Sequence, residues 1–176
     1  SYLYRPIGAC LSLCNPLYRF PQSEIVPSEN EKYWRHTVVR GYVHDMAAAF
    51  LNGVSGHAGL FSTADDMAKM SQMYLNGGSY GGRRYLRPET IDLFSSCYYC
   101  DQGNYRGLGF DRPSFSNKIM GPKTFGHTGF TGTAVWIDPQ ADMVYIFLSN
   151  RTFDSMNNNI LSRGNFRSRI QAACYS

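Results

Sequence analysis

The sequence predicts an α+β fold, an antiparallel sheet flanked by helices. Three observations carry that expectation. The stretches "TGTAVWIDP" and "MVYIFLSN" stand on either side of the turn "DPQAD" and read as a β-hairpin. The stretch "STADDMAKMSQMYLNGG" ahead of them spaces its apolar residues as an amphipathic helix does. A second helical stretch, "NNNILSRGNFRSRIQAAC", follows them. Helices that precede and follow a hairpin, without alternating with single strands, argue for an antiparallel sheet.

Residues 1–40 hold little periodicity, and "NPLYRFPQSEIVPSENEKYW" contains three prolines. They are expected to form an extended, wrapping segment. The next helix starts on a capping box, Ser62 with Asp65 or Thr63 with Asp66, whose acids suit the positive end of the helix. Met67, Met70 and Tyr74 give its apolar stripe, and Asn76-Gly77-Gly78 stops it. The segment "SYGGRRYL" reads as a tight turn into a short strand. In "RPETIDLFSS", Pro88 falls near the first turn of another helix. "RGLGFDR" reads as a strand with glycine at a close approach. "MVYIFL" is apolar on both faces and is expected to be central and covered on both sides. In the last helix Ile160, Phe166, Ile170 and Ala173 are expected to face inward. The whole, 1–176, is expected to be one partial domain.

Composition excludes several classes. The 176 residues are 43% hydrophobic and 15% aromatic, a globular composition. Apolar runs such as Met143 to Leu148 are far short of the ~20 residues that cross a bilayer, so no membrane span is expected. The net charge of +4 is mild, and Arg151, Arg163, Arg167 and Arg169 lack the density and interleaved aromatics of a nucleic-acid surface. A solvated helix face is the simpler reading of them. The five cysteines include the pairs Cys10/Cys14 and Cys97/Cys100, whose spacings are compatible with zinc. Neither pair has the glycine and histidine setting of a zinc knuckle. Ordinary thiols are the favoured reading, ahead of a disulfide and of zinc, and an odd count leaves at least one thiol unpaired within the chain.

The chemistry-bearing stretch is "FGHTGFTGTAVWIDP", Phe125 to Pro139. Small and polar residues stand there at the head of a hydrophobic strand. A strand edge that borders a cleft can offer its own N–H groups to a substrate. Gly129 lets a ligand come against the backbone, Thr128 offers a hydroxyl, His127 an imidazole, and the Phe130 N–H one donor of an oxyanion hole. The bland alternative is a glycine-rich strand start against which other parts of the chain pack.

"GHTGFTG" with its Trp-containing strand, then "DP", a hydrophobic strand and "SNR", resembles the C-terminal portion of the serine β-lactamase and penicillin-binding-protein-like hydrolases. "GYVHD", "GVSGHAGLFSTADDMAKM", "YLNGG" and "GLGF" match the same family in the same order. The similarity is to the β-lactamase-related hydrolase and esterase branch in bacteria, some of whose members are fused behind a family-3 glycosidase. The resemblance implies a partial β-lactamase/transpeptidase-like fold. It also implies acyl transfer through a serine ester, on an ester, amide or β-lactam and without a cofactor.

That family carries its chemistry on a Ser-x-x-Lys, a Tyr-x-Asn-type loop, and a Lys/His-Thr/Ser-Gly strand. His127-Thr128-Gly129 matches the third element in its histidine variant. No serine has Lys three positions on; Ser55, for instance, is followed by Gly-His-Ala. Tyr74-Leu75-Asn76 fits the second element by letter only, at the end of an amphipathic helix. The resemblance places the nucleophile ahead of the segment matching "YRPIGA", so the chain is expected to be inactive alone. It is also expected to pair with a missing N-terminal half or with a second copy. The substrate would be a small acyl compound bound by the longer parent, in the periplasm or outside the cell. His44, Asp45 and His57 fall in segments that the resemblance brings near the cleft, and they stand as candidate substrate-binding residues. On the residues alone, satisfied structural histidines are the favoured reading, and His44 and Asp45, being adjacent, are expected to point apart. A metal site from two histidines and an aspartate is a weaker alternative. A non-catalytic binding or structural module of a larger glycosidase-fused protein is the rival function.

Overall fold

A computed structural model describes residues 2–114 and 116–176. Its main sheet is antiparallel with the order β7-β8-β9, formed by Phe125–Thr128 (β7), Ala134–Asp138 (β8) and Met143–Phe147 (β9). The expected hairpin is β8–β9, in register from Ala134 opposite Phe147 to Asp138 opposite Met143. Asp138 shapes its turn, because its carboxylate accepts the amides of Gln140 (3.0 Å) and Ala141 (3.2 Å).

Ahead of the sheet run Leu13–Cys14 (β1), Pro27–Glu31 (β2), Thr37–Arg40 (β3), Met46–Phe50 (α1), Leu60–Phe61 (β4) and Ala64–Leu75 (α2). Next come Ser79–Tyr80 (β5), Arg83–Arg84 (β6) and Pro88–Ser95 (α3), and Ile160–Arg163 (α4) and Phe166–Cys174 (α5) close the described chain. Helix α2 packs on β8 and β9. Its start is the expected Thr63 cap, which accepts the Asp66 amide at 3.3 Å. Asp66 does not complete the reciprocal box. Its buried carboxylate accepts the Leu11 amide (2.6 Å) and the Ser12 hydroxyl (3.1 Å), so the helix cap fastens the N-terminal segment to α2.

The core has two parts. Ile7, Ala9 and Met73 form one, and Ile91, Phe125 and Ile137 the other, with Tyr74 and Leu86 packed against both. Tyr74 meets Phe110 and Phe125 edge-on, at 5.6 and 6.3 Å between ring centres. The Tyr-Leu-Asn triplet therefore begins inside the core, and burial pushes the Tyr74 hydroxyl above its usual pKa.

Several expectations need correction. Residues 1–40 are not uniformly extended: β2 and β3 form an antiparallel hairpin whose buried positions on β2 are Glu29 and Glu31. "SYGGRRYL" holds both strands of the small hairpin β5–β6. "RGLGFDR" forms no strand; Arg106 bridges Asp111, and Asp111 alone bridges Gly126 of β7. Strand β9 lies at the edge of the sheet, since β8 takes the centre. The last helix is two pieces, α4 and α5, separated at Gly164 and at Asn165, whose φ of 49° leaves the helical region. That break changes the face presented: Ile160 is 67%, Phe166 41% and Ile170 46% exposed, Ala173 is exposed too, and Gln171 is the buried residue of α5.

Cys97 and Cys100 form a disulfide with a Cα–Cα distance of 5.6 Å, which overturns the preference for thiols at that pair, while Cys10, Cys14 and Cys174 are free. Among the described residues no group of three or more His, Cys, Asp or Glu side chains is arranged to hold a metal ion. No described helix is long and apolar enough to cross a membrane.

Candidate active-site wall

His127 and Thr128 end β7, paired with Val135 and Ala134 of β8 on one side. The other side of β7 is closed at Gly126, which exchanges two backbone hydrogen bonds with Asp111 (2.7 and 3.1 Å). Beyond Gly126 the edge is free, and both His127 and Thr128 are exposed. An open edge next to a paired one is the geometry that lets a ligand take the place of a strand.

The imidazole of His127 is held in place. Its Nδ1 lies 2.7 Å from the Thr128 carbonyl oxygen, which can only accept, so Nδ1 carries the proton. Nε2 is left to act as an acceptor, or as a second donor toward Asp111, whose Oδ2 is 3.8 Å away. Asp111 is shared with Arg106 at 3.1 Å. Neither Arg106 nor Asp111 was marked by the sequence as part of this wall. The only signal was their place at the two ends of "RGLGFD".

Gly129 behaves differently from the expectation. A Cβ there would lie 2.2 Å from the Thr133 hydroxyl, so the side a Cβ would occupy is taken by its own turn. The Gly129 amide donates to the Thr133 carbonyl (2.8 Å) and the Gly132 amide to the Gly129 carbonyl (3.0 Å). The glycine is needed to make this turn, which in turn presents Phe130. The Phe130 ring is exposed, and its amide makes no hydrogen bond within the described residues. The Arg151 guanidinium lies 4.3 Å over that ring and donates from Nε to the Phe130 carbonyl at 2.6 Å.

Arg151 and Arg167 are therefore not a solvated face. Together with Thr128, Gly129 and Phe130 they line a cleft of about 380 Å³. Arg167 donates to the Thr133 carbonyl at 3.1 Å. The sequence offered "SNR" as a matching motif, with no role attached to its arginine.

The other candidates divide. His44 is turned to Glu29, Nε2 to Oε2 at 2.8 Å, with only 12% of its side chain exposed. Its ring stacks on Phe130 at 5.8 Å between centres. Glu29 is buried and also accepts the Tyr33 hydroxyl (3.1 Å) and the Met156 amide (2.8 Å). His44 thus props Phe130 from behind. Asp45, as expected of its neighbour, has a different partner: it caps α1 by accepting the Ala48 amide (2.8 Å), and it accepts His57 Nε2 at 2.9 Å. The Ala48 amide first, and then His57, hold the Asp45 carboxyl below its usual pKa. No hydrogen bond or ion pair joins Asp45 or His57 to His127.

The family model for Beta-lactamase matches residues 15–164. A protein of Escherichia coli strain K12 named "Putative D-alanyl-D-alanine carboxypeptidase" is 36% identical over 168 residues, 85% of this chain and 38% of its own length. A protein of the same name from Salmonella enteritidis PT4 is 34% identical, over 89% of this chain and 40% of its own. The chain thus spans less than half the length of these curated relatives. Among solved structures, a penicillin-binding protein homologue from Caulobacter crescentus aligns over 84% of this chain and 44% of its own, with 19% identity and a TM-score of 0.55. A mutant of simvastatin synthase from Aspergillus terreus aligns over 99% of this chain and 49% of its own, with 18% identity and a TM-score of 0.61. At such identities these two report on the fold alone. The solved neighbours agree on the fold, and the family model and the curated relatives show that the chain belongs to the Beta-lactamase family.

Proposed function

We propose that this chain supplies one wall of an acyl-transfer site, and that the Ser-x-x-Lys serving it lies outside residues 1–176. The observation that carries the reading is the open edge of β7 at His127–Thr128, bordering the cleft that Phe130 and Arg151 complete. In this scheme the acyl group lies along the free edge. Thr128 and the backbone hold it, the Phe130 N–H supports the oxyanion, and His127 moves a proton or steadies the leaving group. The curated relatives named for D-alanyl-D-alanine carboxypeptidase support a D-alanyl amide as substrate, with esters and β-lactams as chemical neighbours of it. His44, Asp45 and His57 are not assigned to substrate binding in this scheme, because none of them lines the cleft beside Thr128 and Phe130.

The test uses the longer protein. His127→Ala should lower acyl transfer from a D-alanyl peptide or a chromogenic β-lactam by about tenfold to a thousandfold. A variant with unchanged kcat/KM on both substrates would remove His127 from the chemistry. The 176-residue chain alone should turn over no β-lactam, since the covalent route needs the missing serine.

A further inference from the structure

The loop after α1 holds a hydrogen-bonded chain of three side chains that the wall does not use. Ser55 Oγ lies 2.8 Å from His57 Nδ1, and His57 Nε2 lies 2.9 Å from Asp45 Oδ1. The carboxylate can only accept, so Nε2 carries a proton and donates it to Asp45. Nδ1 is then the basic nitrogen of the neutral ring, and it faces the serine hydroxyl. This is the order nucleophile, base, orienting acid.

The surroundings suit a reaction. Ser55 is half-buried, while His57 and Asp45 have 54% and 44% of their side chains exposed, so a small molecule can reach the serine. Nothing lies within 4 Å of the position a Cβ would take on Gly56. The amides of Gly56 and His57 make no hydrogen bond within the described residues, which leaves both able to donate to a developing oxyanion. Val54 and Leu51, each 60% exposed, give an apolar chain a surface to lie on. Asp45 is fixed by its second task, the α1 cap, so the base is oriented by a carboxylate that cannot swing away.

We propose that Ser55 is a second nucleophile, activated by His57 and Asp45, which takes an acyl or phosphonyl group from a small electrophile with an apolar chain. The step is a single displacement. The Ser55 Oγ–carbonyl (or Oγ–phosphorus) bond forms, the bond to the leaving group breaks, and the leaving group departs with the electron pair. The hydroxyl proton passes to His57 Nδ1, and the imidazolium is stabilised by Asp45. The site is independent of the His127 wall and needs neither lysine nor cofactor.

The experiment treats the protein with an alkyl fluorophosphonate, which loses fluoride as the serine–phosphorus bond forms, and locates the adduct by peptide mass spectrometry. The expected result is an adduct on Ser55. His57→Ala should slow it by about a hundredfold, and added imidazole should restore part of the rate. Asp45→Asn keeps a good helix cap but loses the charge, so it should slow labelling with only a small drop in melting temperature. An adduct only on other serines, or a Ser55 rate indifferent to His57→Ala, would overturn the proposal. Neither outcome bears on the β-lactam reactivity of the longer protein, so the two readings fail separately.

Discussion

Asp138 ties the β8–β9 turn to the Gly121 loop and to the C-terminal Tyr175. It is buried, it shapes the β8–β9 turn, and it accepts the Gly121 amide and the Tyr175 hydroxyl, each at 2.9 Å. Burial pushes its pKa up, but the bonds from Gly121, Tyr175 and Ala141 outweigh burial and hold the carboxyl below its usual range. A carboxyl held low when folded adds stability above its unfolded pKa of about 3.9 and loses it as the pH falls through the folded value. The stability gap between wild type and Asp138→Asn should thus be full near neutrality and close below about pH 4, as read by thermal melting. Tyr175→Phe should cost about 1–3 kcal/mol at pH 7 by removing a donor to a buried carboxylate; an unchanged melting temperature would mean that the bond contributes nothing. At Tyr74 the expectation is the opposite. Tyr74→Phe keeps the ring among Phe110 and Phe125 and should leave acyl transfer in the longer protein nearly unchanged, whereas a crippled enzyme would make Tyr74 a member of the site. The sequence showed His127 and Thr128 because their motif is contiguous. It did not show Asp111 or Glu29, because Asp111 comes beside His127, and Glu29 beside His44, only through tertiary folding.

Elements with a repeating apolar signal were legible: α2 with its cap and its glycine stop, α3 with Pro88, and the β8–β9 hairpin. The β2–β3 hairpin was not, for a physical reason. The inward residues of β2 are glutamates, satisfied by His44, Tyr33 and local amides, so hydrophobic alternation is absent from a strand that is nevertheless buried on one face. The α4–α5 break was hidden because periodicity carried across Gly164-Asn165. Helix α2 offers a test of how its cap is used. Thr63→Ala removes one cap bond and should cost about 1 kcal/mol. Asp66→Ala strands the Leu11 amide and leaves the Ser12 hydroxyl only its bond to Ser62, so it should cost more and open the N-terminal segment to proteolysis. A larger loss from Thr63→Ala would show that Asp66 does not anchor the N-terminal segment.

The whole molecule exposes more surface than its mass predicts. Its accessible surface is 10688 Å² at 19.9 kDa, against about 8,700 Å² for a compact monomer of that size. The excess, about 2,000 Å², is more than twice the ~800 Å² that each partner gives to a standard interface. The edge strand β9, with its Met-Val-Tyr-Ile-Phe sequence, is one place to spend it. In isolation the chain should therefore self-associate at micromolar concentration by light scattering; a strict monomer that also binds no hydrophobic dye would contradict this. Pairing with further residues of a longer protein would cover the same surface, and that is where the functional account places the nucleophile. The most direct measurement is the site of acylation. Trap the longer protein with a fluorescent penicillin and map the adduct by peptide mass spectrometry, with and without His127→Ala. The account predicts an ester on a serine of a Ser-x-x-Lys outside residues 1–176, formed at least about tenfold more slowly in the variant. Esters confined to serines within residues 1–176, or a rate that ignores His127, would contradict it.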